Sequence, residues 1–427
     1  MIKTRELTSF EKFFVHTKEK IQFAVEVSDS NFIPKIIKNF KHYIPGFHLR
    51  LEDSKYICHN KPVYIYQIPK NETTPREACS FIEKINFDYK DTLSIIGTND
   101  KTVAVSVSHV ICDAGFFSDI YNKLLLDIQY KISSPIPIST SDTFPAELEK
   151  ITRSDIENVN KIMNDLTTLR WSPNYQELQA KNKPGLPSRM HTDESPISDF
   201  QLSKSDVNMT DLYLANSLLS IMGINGRMDS KFGLNVPVNL RQFLPSCSIN
   251  LSNTQNISAV NVLSRHITSN TSLHDLCLRL RHDLSQKLLT GSMFAVFRGY
   301  LDNSINFERK KCCFLEFSNI GKIGALKSGN QFNDGHVITD LWIQQNLPLQ
   351  QEESSVYLMS FARMKHDVGT VVTRFRQPTS VINDEDADAF FASVMHLMKE
   401  APLDAPIQTV YDEIRSFQSK VRRQKKK

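Results

Sequence analysis

Lys101-Thr-Val-Ala-Val-Ser-Val-Ser-His-Val-Ile-Cys-Asp-Ala-Gly115 is the stretch on which the reading of this 427-residue chain turns. Val103, Val105 and Val107 alternate with Ala104, Ser106 and Ser108, the period of two expected of a strand with one bulky and one small face. Both faces can then be covered, which predicts a central strand. It ends at His109, and Asp113 and Gly115 follow. Beyond them Phe117, Ile120, Tyr121, Leu124, Leu125 and Ile128 recur at helical spacing, predicting a helix over residues 116–130. His109 and Asp113 are therefore expected in a strand-to-helix turn.

An imidazole at the end of a buried strand is held rigidly at the edge of a cavity, and histidine is the side chain best suited to move protons near neutral pH. Asp113 need not touch that ring. It can accept hydrogen bonds from a distant arginine, fixing the turn and leaving His109 to face a substrate. His336-Val-Ile-Thr-Asp340 repeats the spacing but runs on into Leu341-Trp342-Ile343 without glycine or helical pattern, so it reads as strand. Cys112, inside the first motif, reads as a small packed residue and not as a nucleophile.

Upstream, Thr8 or Ser9 reads as a helix cap with Glu11 in the first turn. Residues 21–27 alternate as a strand, and a helix over 31–43 is stopped by Pro45-Gly46 before Phe47-His-Leu-Arg-Leu51. After the motif helix, Ser133-Ser-Pro-Ile-Pro-Ile-Ser-Thr-Ser-Asp142 reads as a linker, and residues 182–196 are again rich in breakers. This places a domain boundary near residues 180–196, giving an N-terminal domain over 1–180 and a C-terminal one over 197–427. In the second half a helix runs through Met222, a strand leads into Pro237-Val-Asn-Leu-Arg241, and a short strand closes in Ser318-Asn-Ile-Gly321. Residues 384–398 read as the last clear helix.

Hydrophobic residues at 40% and charged residues at 23% describe an ordinary globular protein. The formal charge is +4, and removing the six basic groups of Lys420-Val-Arg-Arg-Gln-Lys-Lys-Lys427 leaves −2. The body is nearly neutral, so nucleic acid is not an expected partner. The tail over 420–427 is expected to be disordered, either a solvated end or a peripheral contact with anionic membranes. Seven cysteines without C-x-x-C spacing disfavour a disulfide framework and a zinc site, and imply a reducing, cytoplasmic setting. No apolar run approaches the ~18 residues that would span a bilayer.

A strand followed by H-x-x-x-D, glycine and a helix resembles the active-site motif of the acyl-CoA-dependent acyltransferase superfamily. That superfamily takes in chloramphenicol acetyltransferase, the plant BAHD enzymes, peptide-synthetase condensation domains and alcohol acetyltransferases. The usual form carries glycine directly after the aspartate; here Ala114 stands there and Gly115 comes one later. The opening Arg5-Glu-Leu7 with Glu11, and the strand ending in Ser318-Asn-Ile-Gly321, are similar to the alcohol acetyltransferase branch.

The resemblance implies two similar chloramphenicol-acetyltransferase-like α/β domains with an active-site tunnel between them. It implies His109 as general base, Asp113 and Gly115 as structural residues, and Arg241 as the buried partner of Asp113. Ser318 or Asn319 would border the channel and donate to an oxyanion. An acyl thioester needs no covalent enzyme intermediate if the attacking hydroxyl or amine is deprotonated as it attacks. The expected activity is transfer of an acyl group, acetyl by this resemblance, from acyl-CoA or a carrier-protein thioester to a small or lipid-like alcohol or amine. The chain would act as a monomer, with no bound cofactor and no metal. A non-catalytic binding or assembly protein of the same fold is the alternative. A Ser-His-Asp hydrolase is disfavoured, since no G-x-S-x-G elbow occurs.

Overall fold

The structure is a computed structural model that describes residues 4–127, 136–168, 189–200, 206–228, 233–244, 255–263, 267–304, 314–324, 337–346, 355–377 and 382–424. Its strands, in chain order, are β1 (Thr4–Glu6), β2 (Lys20–Val27), β3 (Leu49–Glu52), β4 (Lys55–Cys58), β5 (Ile65–Gln67), β6 (Ser94–Thr98) and β7 (Thr102–Ser108) in the N-terminal half. The C-terminal half supplies β8 (Arg189–Pro196), β9 (Gly233–Asn239), β10 (Ile257–Leu263), β11 (Phe314–Lys322), β12 (Ile338–Asn346), β13 (Ser355–Lys365) and β14 (Val368–Gln377).

The alternating valine stretch is β7, buried at every residue and central in a five-stranded sheet of order β12-β2-β7-β6-β5. Small residues on one face leave room for polar cross-strand pairing: Gln22 Nε2 donates to Ser106 Oγ at 3.1 Å. The six-stranded sheet has the order β10-β9-β11-β13-β14-β8. β12, although late in the chain, pairs antiparallel with β2 and so belongs to the first sheet, tying the halves together. Behind the second sheet, the helix Met209–Asn225 is buried almost all round, the signature of a helix inside a core and not on a surface. It packs beside the helices Asp384–Glu400 and Ile407–Gln424, and its Tyr213 stacks on Phe317 of β11 at 5.1 Å.

Several elements differ from expectation. The helix after the motif is Ala114–Tyr121, shorter than the apolar spacing suggests. Residues 189–196, read as breaker-rich, form β8 along the edge of the second sheet. Ser318-Asn-Ile-Gly321 does not close its strand: β11 continues to Lys322 through a bulge between Asn319 and Gly321, where Gly321 takes φ +83°. The basic tail is not disordered through Gln424. It ends the helix Ile407–Gln424, whose buried Ile407, Val410, Tyr411, Ile414 and Gln418 form a regular apolar stripe, and Arg422 pairs with Asp386 at 2.6 Å. No described helix is long and apolar enough to cross a membrane.

Candidate active site

His109 sits immediately past β7, held by its own backbone. Its N–H donates to the carbonyl of Glu19 at 2.9 Å, and its carbonyl accepts from Gln255 Nε2 at 2.7 Å. The ring is only 4% exposed and lies flat on Phe14, with centroids 4.1 Å apart and planes 15° from parallel. Phe14 comes from the helix Ser9–Thr17, which Thr8 and Glu11 fix by a reciprocal capping box. Glu11 also pairs with Arg5 at 2.6 Å and accepts from the Tyr56 hydroxyl, which reaches the carbonyl of Val110, each at 3.0 Å. The chain opening is thus hydrogen-bonded to the turn that carries His109. Within the ring, Nδ1 is enclosed without a partner, whereas Nε2 is not among the enclosed unpartnered atoms.

Asp113 does not contact that ring through any hydrogen bond among the described residues. It caps the helix Ala114–Tyr121, with Oδ1 accepting from the N–H of Phe116 at 3.0 Å. The same oxygen takes Arg241 Nη1 at 2.7 Å, and Oδ2 takes the N–H of Asn256 at 2.6 Å. Arg241, 6% exposed, arrives from the turn after β9, and its Nε reaches Asp119 at 3.1 Å. One guanidinium therefore serves two carboxylates across the halves, a geometry open to arginine and closed to lysine. Burial raises the Asp119 carboxyl above its usual range, and Arg241 opposes that rise.

Gly115 explains the displaced glycine of the motif. A Cβ there would lie 2.7 Å from Asn239 Nδ2 and 3.1 Å from Arg241 Nη1, so the first turn of the helix approaches the arginine turn closely at residue 115. Position 114 tolerates alanine. Cys112 is fully buried and burial pushes its thiol well up, which disfavours a nucleophilic thiolate.

The late residues separate. Asn319 spends its amide on structure: Nδ2 donates to Thr210 Oγ1 at 2.8 Å, and Oδ1 accepts from the N–H of Gly321 at 2.9 Å and from Ser360 Oγ at 3.3 Å. Ser318 is half-buried and interacts with the Tyr357 hydroxyl. His336 lies outside the described residues. Asp340, in β12, pairs with Arg363 at 2.7 Å. Among the described residues one trio, Glu26, Asp340 and His366, brings metal-type donors together, but a cation there would compete with Arg363. Residues absent from the sequence reading are Phe14, Asp119, Gln255 and Asn256. Only Phe14 carried a signal, as part of the Phe10, Phe13, Phe14 face of a well-capped helix.

Two α/β halves are joined by a crossover strand, with a histidine turn pinned to an arginine from the other half. The chain has the fold of the superfamily that holds condensation domains and chloramphenicol-acetyltransferase-like acyltransferases. Solved structures similar to it include the starter condensation domain of rhizomide synthetase RzmA, as a mutant in complex with C8-CoA and Leu-SNAC. That one is 10% identical, with a TM-score of 0.63 over 95% of this chain and 96% of the other. Trichothecene 15-O-acetyltransferase TRI3 from Fusarium sporotrichioides matches at 11% identity, TM-score 0.61, over 92% and 95% of the two chains. Polyketide synthase associated protein 5 from Mycobacterium tuberculosis matches at 11% identity, TM-score 0.60, over 93% and 98%. No family model matches the chain, and no curated protein matches it in sequence.

Proposed function

We propose that the protein transfers an acyl group from acyl-CoA to the hydroxyl or amine of a small or lipid-like acceptor, with His109 as general base. The observation that carries this reading is the division of labour in the motif. Both Asp113 oxygens are engaged by Arg241, Phe116 N–H and Asn256 N–H, so the imidazole works without a carboxylate behind it. Phe14 and the flanking backbone bonds fix its plane.

Nε2, the nitrogen that is not closed off, takes the proton of the attacking hydroxyl or amine as the new C–O or C–N bond forms. The tetrahedral intermediate then expels the thiolate of CoA, and the imidazolium returns the proton to that sulfur. No electrons leave the system and no covalent enzyme intermediate is needed. Ser318 is the better oxyanion donor of the two candidates, because the Asn319 amide is occupied. A small pocket beside the motif is lined by apolar Phe10, Val110 and Phe297 together with polar Glu11, Thr140 and Gln255.

Purified protein is incubated with acetyl-CoA and a panel of alcohols and amines, and free thiol is followed. Acceptor-dependent thiol release is expected. Its absence across the panel, and with a carrier-protein thioester in place of CoA, would leave the binding-protein reading in its place.

A further inference from the structure

The face of the six-stranded sheet opposite Tyr213 carries a row of polar residues at right angles to its strands. Registers align Asn261 of β10 with Asn235 of β9, Asn235 with Glu316 of β11, Glu316 with Tyr357 of β13, and Tyr357 with Arg376 of β14. Leu315 and Phe317 point to the other face and are buried, so the pleat puts Glu316 and Ser318 on one face together. Glu19, whose carbonyl holds the His109 N–H, acts electrostatically on both Glu316 and Tyr357. The row therefore looks toward the turn that carries His109.

Within this row the polar groups differ in how they are satisfied. Asn235 Nδ2 donates to Asn261 Oδ1 at 2.9 Å, and Arg376 lies 5.9 Å from the centre of the Tyr357 ring. The Glu316 carboxylate has no hydrogen bond or ion pair to any described residue. Glu316 and Tyr357 nonetheless keep some accessible surface, although burial is the leading cause that pushes both groups up, Glu316 to about 7. Both side chains lie on the sheet face that looks toward Glu19 and, through it, the His109 turn. An unpaired carboxylate in such a place costs stability, and leucine or glutamine would be better tolerated.

Resting on the transferase reading above, we propose that Glu316 is a specificity-determining residue, which binds an ammonium group of the acceptor while a separate hydroxyl or amine of the same molecule faces His109. The acceptor class is then an amino alcohol or diamine. Tyr357 and Asn235 flank the ammonium site, and Arg376 on one side and Glu19 on the other are the charged groups that set its potential. Because folding raises the Glu316 carboxyl from 4.5 to about 7, its ionised form is disfavoured in the native state. Native stability due to this group falls as pH rises through that window.

The test compares wild type with Glu316→Gln, using acetyl-CoA and two acceptors of equal length, a linear amino alcohol and the corresponding diol. The variant should lose at least about tenfold in kcat/KM for the amino alcohol, mainly through KM, and stay within about twofold for the diol. The wild-type KM for the amino alcohol should drop as pH rises through the carboxyl's titration, and the variant should lack that drop. Equal effects on both acceptors, or none on either, would overturn the assignment. If wild type acylates neither acceptor, the transferase reading fails first. Calorimetric titration of the amino alcohol into both proteins then decides: weaker binding to Glu316→Gln supports the ammonium site, and equal binding rejects it. The melting temperature gives an independent readout. Glu316→Gln should melt no lower than wild type near pH 5 and higher near pH 8; a lower melting temperature at both would mark Glu316 as structural and also overturn the assignment.

Discussion

Asp113 and Asp340 close the two H-x-x-x-D stretches of this chain, and each has a buried arginine 2.7 Å away. Arg241 is shared between Asp113 and Asp119, and Arg363 between Asp340 and Glu194. Sequence spacing and ion pairing are thus the same at the two sites. What differs is the element that follows. Asp113 opens a helix and receives two backbone N–H groups besides the guanidinium. Asp340 lies within an edge strand, receives one N–H from its own neighbour Leu341, and burial pushes its carboxyl up to about 6 against the pull of Arg363. The lesson is that an aspartate becomes the anchor of a site through the backbone donors its secondary structure presents, more than through its charge partner.

The strongest way to break this comparison is Arg241→Ala. It takes the guanidinium from Asp113 and Asp119 together and removes one of the ties between the halves, so it should cost on the order of 3–5 kcal/mol of unfolding free energy and lower activity with it. Denaturant titration measures the cost. In a double-mutant cycle with Asp113→Ala the losses should be non-additive; additive losses would show that the 2.7 Å contact carries no coupling.

Gly115→Ala should come next. The added Cβ must push aside Asn239 Nδ2 and Arg241 Nη1, an overpacking that costs about 1–3 kcal/mol and moves the guanidinium off Asp113. Unchanged stability and turnover would mean that the close approach at residue 115 is not needed.

Asp340→Asn should give the smallest effect. The raised carboxyl favours its protonated form in the native state, so stability due to Asp340 is fully present below 3.8 and is lost as pH rises through about 6. The variant should flatten the fall of melting temperature across that window and leave acyl transfer unchanged. A loss of activity comparable to that of Arg241→Ala would erase the distinction between the two sites.

The part of this site that was legible in the sequence is the part built from local signals. β7 showed its period of two, Thr8 or Ser9 a helix cap with Glu11 in the first turn, and His109 and Asp113 their strand-to-helix turn, each signal spanning only a few residues. Arg241 came only through the resemblance, since nothing at an Asn-x-Arg turn announces a carboxylate 128 residues earlier. Glu316 was invisible because a polar residue on an alternating strand normally faces water, whereas here its carboxyl is buried. Asp119 carried no signal of its own, because its partner Arg241 lies far away in the chain. The final helix carries a local signal too, Ile407, Val410, Tyr411 and Ile414 at helical spacing, but it runs directly into a basic end that has the composition of a solvated tail.

The central claim, that His109 moves the proton in acyl transfer, is tested most directly by His109→Gln. The substitution keeps a planar polar side chain against Phe14 and avoids the cavity that alanine would leave under a ring only 4% exposed. Acceptor-dependent thiol release from acetyl-CoA is measured for wild type and variant, with circular dichroism and melting temperature confirming that both are folded. A folded variant slowed by about 10²–10⁴ is the predicted result; a folded variant turning over within about tenfold of wild type would contradict the role of His109 as general base.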